Sequence, residues 1–109
     1  MALAVNASGT VTTDGTEQSL ATPSTSQVYC LDVDVNAMAA GDIIELRVKK
    51  TVLTGGTVRT AWRASIGPSP SADAIIVSPP LNCPFGCTVT IKRIAGTDRA
   101  YPWSLMTLQ

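Results

Sequence analysis

Between Asp42 and Ile66 the chain reads DIIELRVKKTVLTGGTVRTAWRASI, and its side chains alternate in character with a period of two. Ile44, Leu46, Val48 and Val52 fall on one side, while Ile43, Glu45, Arg47 and Lys49 fall on the other, the signature of a half-buried strand. A helix would scatter the charged residues around its circumference, among β-branched residues that lose rotamer freedom there. On the return arm Val58, Thr60, Trp62, Ala64 and Ile66 alternate with Arg59, Ala61, Arg63 and Ser65. With Thr54, Gly55 and Gly56 at the tip, the stretch predicts one long hairpin, its turn using the positive φ that glycine adopts without a Cβ clash. A phosphate-cradling glycine loop needs a helix behind it, and Thr57 to Ile66 is a strand pattern.

The same alternation recurs along the rest of the chain. Residues 3 to 13 predict a first strand, interrupted near Asn6 to Gly9, or else an N-terminal arm. Asp14 and Gly15 form a turn before a second short strand over Thr16 to Ala21, and the TPSTS stretch after it is a loop by composition. From Gln27 to Val35, Tyr29, Leu31, Val33 and Val35 point one way, with Val28, Cys30, Asp32 and Asp34 the other. Asn36 to Gly41 suits a single helical turn closed by glycine, carrying Val35 and Met38 into the core. Residues 67 to 72, GPSPSA, read as a loop, and Asp73 to Ser78 as a short strand stopped by Pro79 and Pro80. Thr88 to Ile94 alternates again, with Cys87, Val89 and Ile91 inward. After a turn at residues 95 to 99, a closing strand over Tyr101 to Leu108 carries Trp103 and Leu105, and its Pro102 belongs near a sheet edge or at a strand start. The sum is an all-β, single-domain antiparallel β-sandwich, jelly-roll-like or Ig-like, of seven to eight short strands. Residues 1–13 are its strand or arm, and residues 14–109 its sandwich domain.

Composition supports one compact core: 109 residues, 45% hydrophobic and 15% charged, with few aromatics. The formal net charge is zero, but its signs are segregated. Residues 1 to 45 hold six acids and no base, whereas residues 46 to 109 hold eight bases against Asp73 and Asp98. Acidic early strands pairing with basic later ones inside one sheet is the plainer account. The sharper one is that the two signs face different surfaces and dock partners by complementarity. Neutrality and the lack of aromatic interleaving speak against nucleic acid. The opening MALAVNASG has neither a basic region nor a long apolar run, so no signal peptide or membrane span is expected, and synthesis in a reducing cytoplasm is the default.

Candidate chemistry is sparse. Asp32 and Asp34 share a strand face, but such pairs are usually solvated or matched by cations like Arg47, Lys49, Arg59 and Arg63. Cys83 and Cys87, in the PPLNCPFGC segment, admit three states: free thiols, a disulfide across Pro84-Phe85-Gly86, or half of a metal site. Zinc would need four ligands, and the chain offers three cysteines and no histidine. Without histidine no nucleophile or general base stands in a recognisable setting, so an enzyme is not expected, nor a cofactor. Trp62 and Trp103, with Tyr29 or Tyr101, would have to be exposed to serve a sugar-binding module; on strands with aliphatic neighbours they read as core.

Taken together, TVTTDGTEQSLAT (residues 10 to 22), GDIIELRVKKTVLTGGTVR (41 to 59) and AGTDRAYPWSLMTL (95 to 108) resemble a family of small virion proteins of tailed bacteriophages. The resemblance covers most of the chain but places nothing on Cys83 and Cys87. It implies a structural protein of the virion, most readily a capsid decoration or cement protein on the capsid surface, made in the bacterial cytoplasm. The implied partners are the major capsid protein and other virion proteins, with a homo-oligomer (dimer or trimer) expected and neither nucleic acid nor membrane. A neck or tail component, or a carbohydrate- or host-surface-binding module, is the alternative. The expected partner-binding residues are Arg47, Lys49, Arg59 and Arg63 on the basic face, with Leu3 and Val5 on the N-terminal segment.

Overall fold

The computed structural model describes residues 3–67 and 75–108, which form nine strands and no helix. They are β1 (Leu3–Thr12), β2 (Gln18–Ala21), β3 (Gln27–Asp34), β4 (Ile43–Lys50), β5 (Arg59–Ile66), β6 (Ile75–Val77), β7 (Leu81–Cys83), β8 (Thr88–Ala95) and β9 (Ala100–Leu108). One sheet, here sheet A, runs β1-β9-β3-β6 with β7 also on β3; the other, sheet B, runs β2-β8-β4-β5, and every pairing is antiparallel.

β6 and β7 lie end to end along one edge of β3: Ile75 to Val77 pair with Asp34 to Asp32, and Leu81 to Cys83 pair with Tyr29 to Gln27. They are one strand broken by Ser78, Pro79 and Pro80. The prolines supply no N–H, and Ser78 bridges the gap. Its N–H donates to Leu31 O and its hydroxyl accepts from Leu31 N, each at 2.8 Å. Counting that broken strand once leaves eight strands, four per sheet, in the order of two Greek keys. This is the jelly roll of the two expected sandwiches. The break also explains why nine strands are found where seven to eight were expected.

The alternation predicted from the sequence holds where the two sheets face each other. Tyr29, Leu31, Val33, Ile44, Leu46, Val48, Val89, Ile91, Tyr101 and Leu105 are all buried between the layers, each aliphatic one contributing about 1.5–3 kcal/mol of apolar burial. Trp62, Ala64 and Trp103 pack half-buried against this core.

The hairpin predicted over residues 42 to 66 is present, with β4 and β5 paired from Ile44↔Ile66 to Lys50↔Arg59. Its tip is longer than a two-residue turn. Gly56 N donates to Leu53 O at 2.8 Å, closing a turn with Gly55 at a φ of 74°, and the loop leaves Val52 exposed rather than inward. Residues 36 to 41 make two tight turns, closed by Met38 N on Val35 O and Asp42 N on Ala39 O, in place of the expected helical turn. Val35 and Met38 are nonetheless buried. β1 is continuous, and the expected interruption is a register shift between Val5 and Ala7. It pairs with β9 along its whole length, as a sheet strand rather than a free arm. Pro102 sits in an interior strand, but at its start, where β9 pairs with β1 and the β3 ladder has not begun. Of the expected loop and short strand at residues 67 to 78, positions 68 to 74 lie outside the described residues.

Candidate interaction surface

The sandwich has two outward faces. On sheet B the face carries charge. Glu17, just before β2, sits at its centre: its carboxylate takes the Lys49 ammonium at 2.8 Å, the Thr90 hydroxyl at 2.7 Å and the Arg47 guanidinium at 4.0 Å. Arg47 also meets Glu45 at 2.5 Å. The bonds from Lys49 and Thr90 hold the Glu17 carboxyl below its ordinary pKa. Two of the four cations expected to be an open docking face are therefore matched from within the chain, as in the plainer account of the charge segregation. Arg59 and Arg63, on the outer strand β5, are exposed and have no ion-pair partner among the described residues.

On sheet A the outward face is different. Residues in register lie side by side on one face, so Leu3, Leu108 and Val28 form one row across β1, β9 and β3, and Val5, Met106 and Cys30 form the next. Leu3 and Val5 are 61% and 59% exposed, and the other four are half-buried by their neighbours. Toward the opposite end the rows turn polar, with Ser8, Ser104 and Asp32 in register, and Val77 and Ile75 exposed beside Asp32 and Asp34. Asp34 accepts the Asn36 N–H, and no cation from either sheet reaches the two carboxylates among the described residues. The expected matching by Arg47, Lys49, Arg59 or Arg63 fails because those residues are on the other sheet.

Sequence reasoning missed Asp42. It is buried at the end of the sandwich where the β3–β4 and β8–β9 connections meet, and it accepts the N–H groups of Thr97 (3.0 Å) and Ala39 (2.9 Å) and the Arg99 guanidinium. Those donors, the backbone of Thr97 first, lower its pKa to about 2. Gly96, at a φ of 91°, is required there because a Cβ would run into the Asp42 carboxylate. The separation of Asp42 from Arg99 by 57 positions left no local signal for this tie.

The three cysteines do not converge. Cys30 points outward from sheet A, whereas Cys83 and Cys87 are buried in the core, and all three are free thiols rather than the disulfide that their spacing allowed. Burial raises both core thiols, Cys87 to about 12, with the Cys83 sulfur adding to that rise. Among the described residues no metal-binding cluster of acids or cysteines occurs. Tyr29 and Tyr101 are buried, and the Tyr29 hydroxyl is tied to Thr25 O at 2.8 Å, so neither serves as a sugar platform.

Fold and surface together define an eight-position jelly-roll sandwich with one ion-paired outer face and one outer face that carries an apolar strip at one end. No protein-family model, curated protein or solved structure matches the chain.

Proposed function

We propose that this protein is a structural component of a tailed-bacteriophage virion, a decoration or cement protein that seats the outer face of sheet A on the lattice of the major capsid protein. The observation that carries this reading is the two-row apolar strip of Leu3, Val5, Val28, Cys30, Met106 and Leu108. A contiguous apolar patch on a sheet face marks a docking site more readily than apolar side chains exposed singly or on loops. The jelly roll supports it at the level of fold class, since viral capsid domains are among its hosts, though lectins and cupins share it. The titratable groups support it as well. Asp42 and Glu17 are consumed by structural bonds, and the buried thiols are held protonated.

The docking face is therefore the one bearing Leu3 and Val5, and Arg59 and Arg63, on sheet B, lie outside it. The test is co-sedimentation with shells of the major capsid protein that lack the protein. The wild type is expected to saturate regular sites, and Val5→Asp to leave the shells bare while Arg59→Glu/Arg63→Glu still binds. Binding to tail or neck assemblies but not to shells would move the protein to that part of the virion, and saturable glycan binding without shell binding would replace the reading altogether.

A further inference from the structure

A jelly roll leaves four outer strands, and an unpaired strand edge invites another strand unless something blocks it. Three of the four edges here are blocked. β2 is four residues long; β6 and β7 are three each and separated by two prolines; β5 carries the unpaired Arg59 and Arg63. β1 is the exception. It is the longest strand, ten residues reading LAVNASGTVT, without a charge or a proline. Only the register shift at Asn6 interrupts it, and among the described residues no strand lies on its free side.

We propose that β1 is the dimerisation edge of this protein and that its occupant is β1 of a second copy, paired antiparallel about a two-fold axis. Self-pairing is what the strand's chemistry suits: an isologous contact sets each residue against a residue of the same strand, and an uncharged strand meets no like charge there. The same operation at β5 would bring the arginines of the two copies together. A ten-residue strand spans about 33 Å, so the joint offers a full ladder of backbone hydrogen bonds. An axis perpendicular to the sheet keeps both outer faces on one side. A full-length antiparallel ladder sets the Leu3 and Val5 end of one copy beside the Thr10 and Thr12 end of the other, so the dimer carries two apolar strips on the same side, one at each end of the joint. The dimer itself does not depend on what those strips dock against.

Sedimentation equilibrium and light scattering on the full chain test this without any partner. The expected result is a particle of twice the 11.4 kDa chain mass at micromolar concentration, with β1 amides protected from hydrogen exchange on their free side. Ser8→Lys/Thr10→Lys places charges on exposed positions of the edge and is expected to yield a monomer with near-native circular dichroism and β1 amides that exchange at least ten times faster. A wild type that stays monomeric at 100 µM, as an order-of-magnitude ceiling, overturns the proposal. So does a dimer untouched by the lysines but split by Arg59→Glu/Arg63→Glu, or wild-type β1 amides that exchange as fast as an exposed edge. Should the double lysine variant fail to fold, the wild-type exchange pattern alone decides. Dimerisation with no binding to shells would leave this inference standing and remove the functional reading; shell binding by a strict monomer would do the reverse.

Discussion

Glu17 and Val5 occupy comparable places, each near an outer strand on an outward face, yet one is engaged by three side chains while the other lies 59% exposed with apolar neighbours. The difference extends to the strands beside each of them. On sheet B the outward positions of β4 are Glu45, Arg47 and Lys49, and the acid needed to match them arrives from the segment before β2. On sheet A the outward positions at one end of β1 and β9 are Leu3, Val5, Met106 and Leu108, with Ser8, Ser104 and Thr10 following toward the other end. Exposed ion pairs stabilise a fold only slightly, but a face whose charges are already matched has little reason to bind. An exposed apolar strip keeps its hydration cost until something covers it. Of the four conspicuous cations, Arg47 and Lys49 are therefore less available than the strip, and only Arg59 and Arg63 are left unmatched among the described residues.

Four variants put this contrast to the test. The largest effect is expected from Val5→Asp combined with Met106→Asp, which puts two unpaired carboxylates into the apolar strip. Attachment to shells should fall by at least about 100-fold, the usual cost of charge buried at an interface centre, with a melting temperature shifted by only a few degrees. A comparable loss from Arg59→Glu/Arg63→Glu instead would invert the assignment of the faces. Next comes Asp42→Asn. It keeps the shape but loses the charge that Thr97, Ala39 and Arg99 were arranged around, so the melting temperature should drop on the order of 10 °C. The same variant checks the acid limb of stability. The Glu17 and Asp42 carboxyls have folded-state pKa values depressed from 4.5 and 3.8, Asp42 to about 2. Their contribution is complete above about pH 5 and is lost as pH falls toward about 2. Asn at position 42 should flatten that slope in urea titrations at pH 2 to 5, whereas an unchanged slope would show that the acid limb lies elsewhere.

A smaller effect is expected from Glu17→Ala, about 1 kcal/mol in chemical denaturation, because Lys49 and Arg47 lose their carboxylate while remaining in reach of solvent. The loss should shrink in 0.5 M salt, taken as a round high-salt condition. Smallest of all is Arg59→Ala, within about 0.5 kcal/mol of wild type; a larger loss would mean that the β5 edge is engaged in the folded chain after all.

Much of the fold was legible in the residues. The pairing of β4 with β5, the inward set of β3 and the inward set of β8 all follow from the period of two, because neighbouring strand side chains must point to opposite faces. The candidate surface was half legible. Leu3 and Val5 were identified on the N-terminal segment, but Met106, Leu108, Val28 and Cys30 were not joined to them, since a strand's alternation says which side chains are out without saying which strand lies next door. Arg47 and Lys49 were misjudged for the same reason: that Glu17 reaches Lys49 depends on β8 lying between β2 and β4. Pro79 and Pro80 marked a stop, and only the packed sheet revealed that Ser78 carries the edge across it.

By itself, the order of residues determined that this chain is a layered β protein, where its strands fall and which side of each is apolar. These are properties of local backbone geometry, and each can be read from a few neighbouring positions. The order of strands within each sheet, the break in the β6–β7 edge, the Asp42 tie between two distant connections and the unlike outer faces were decided in three dimensions. Each joins residues tens of positions apart, and their proximity is set by how two sheets close over a common core rather than by any local preference of the chain.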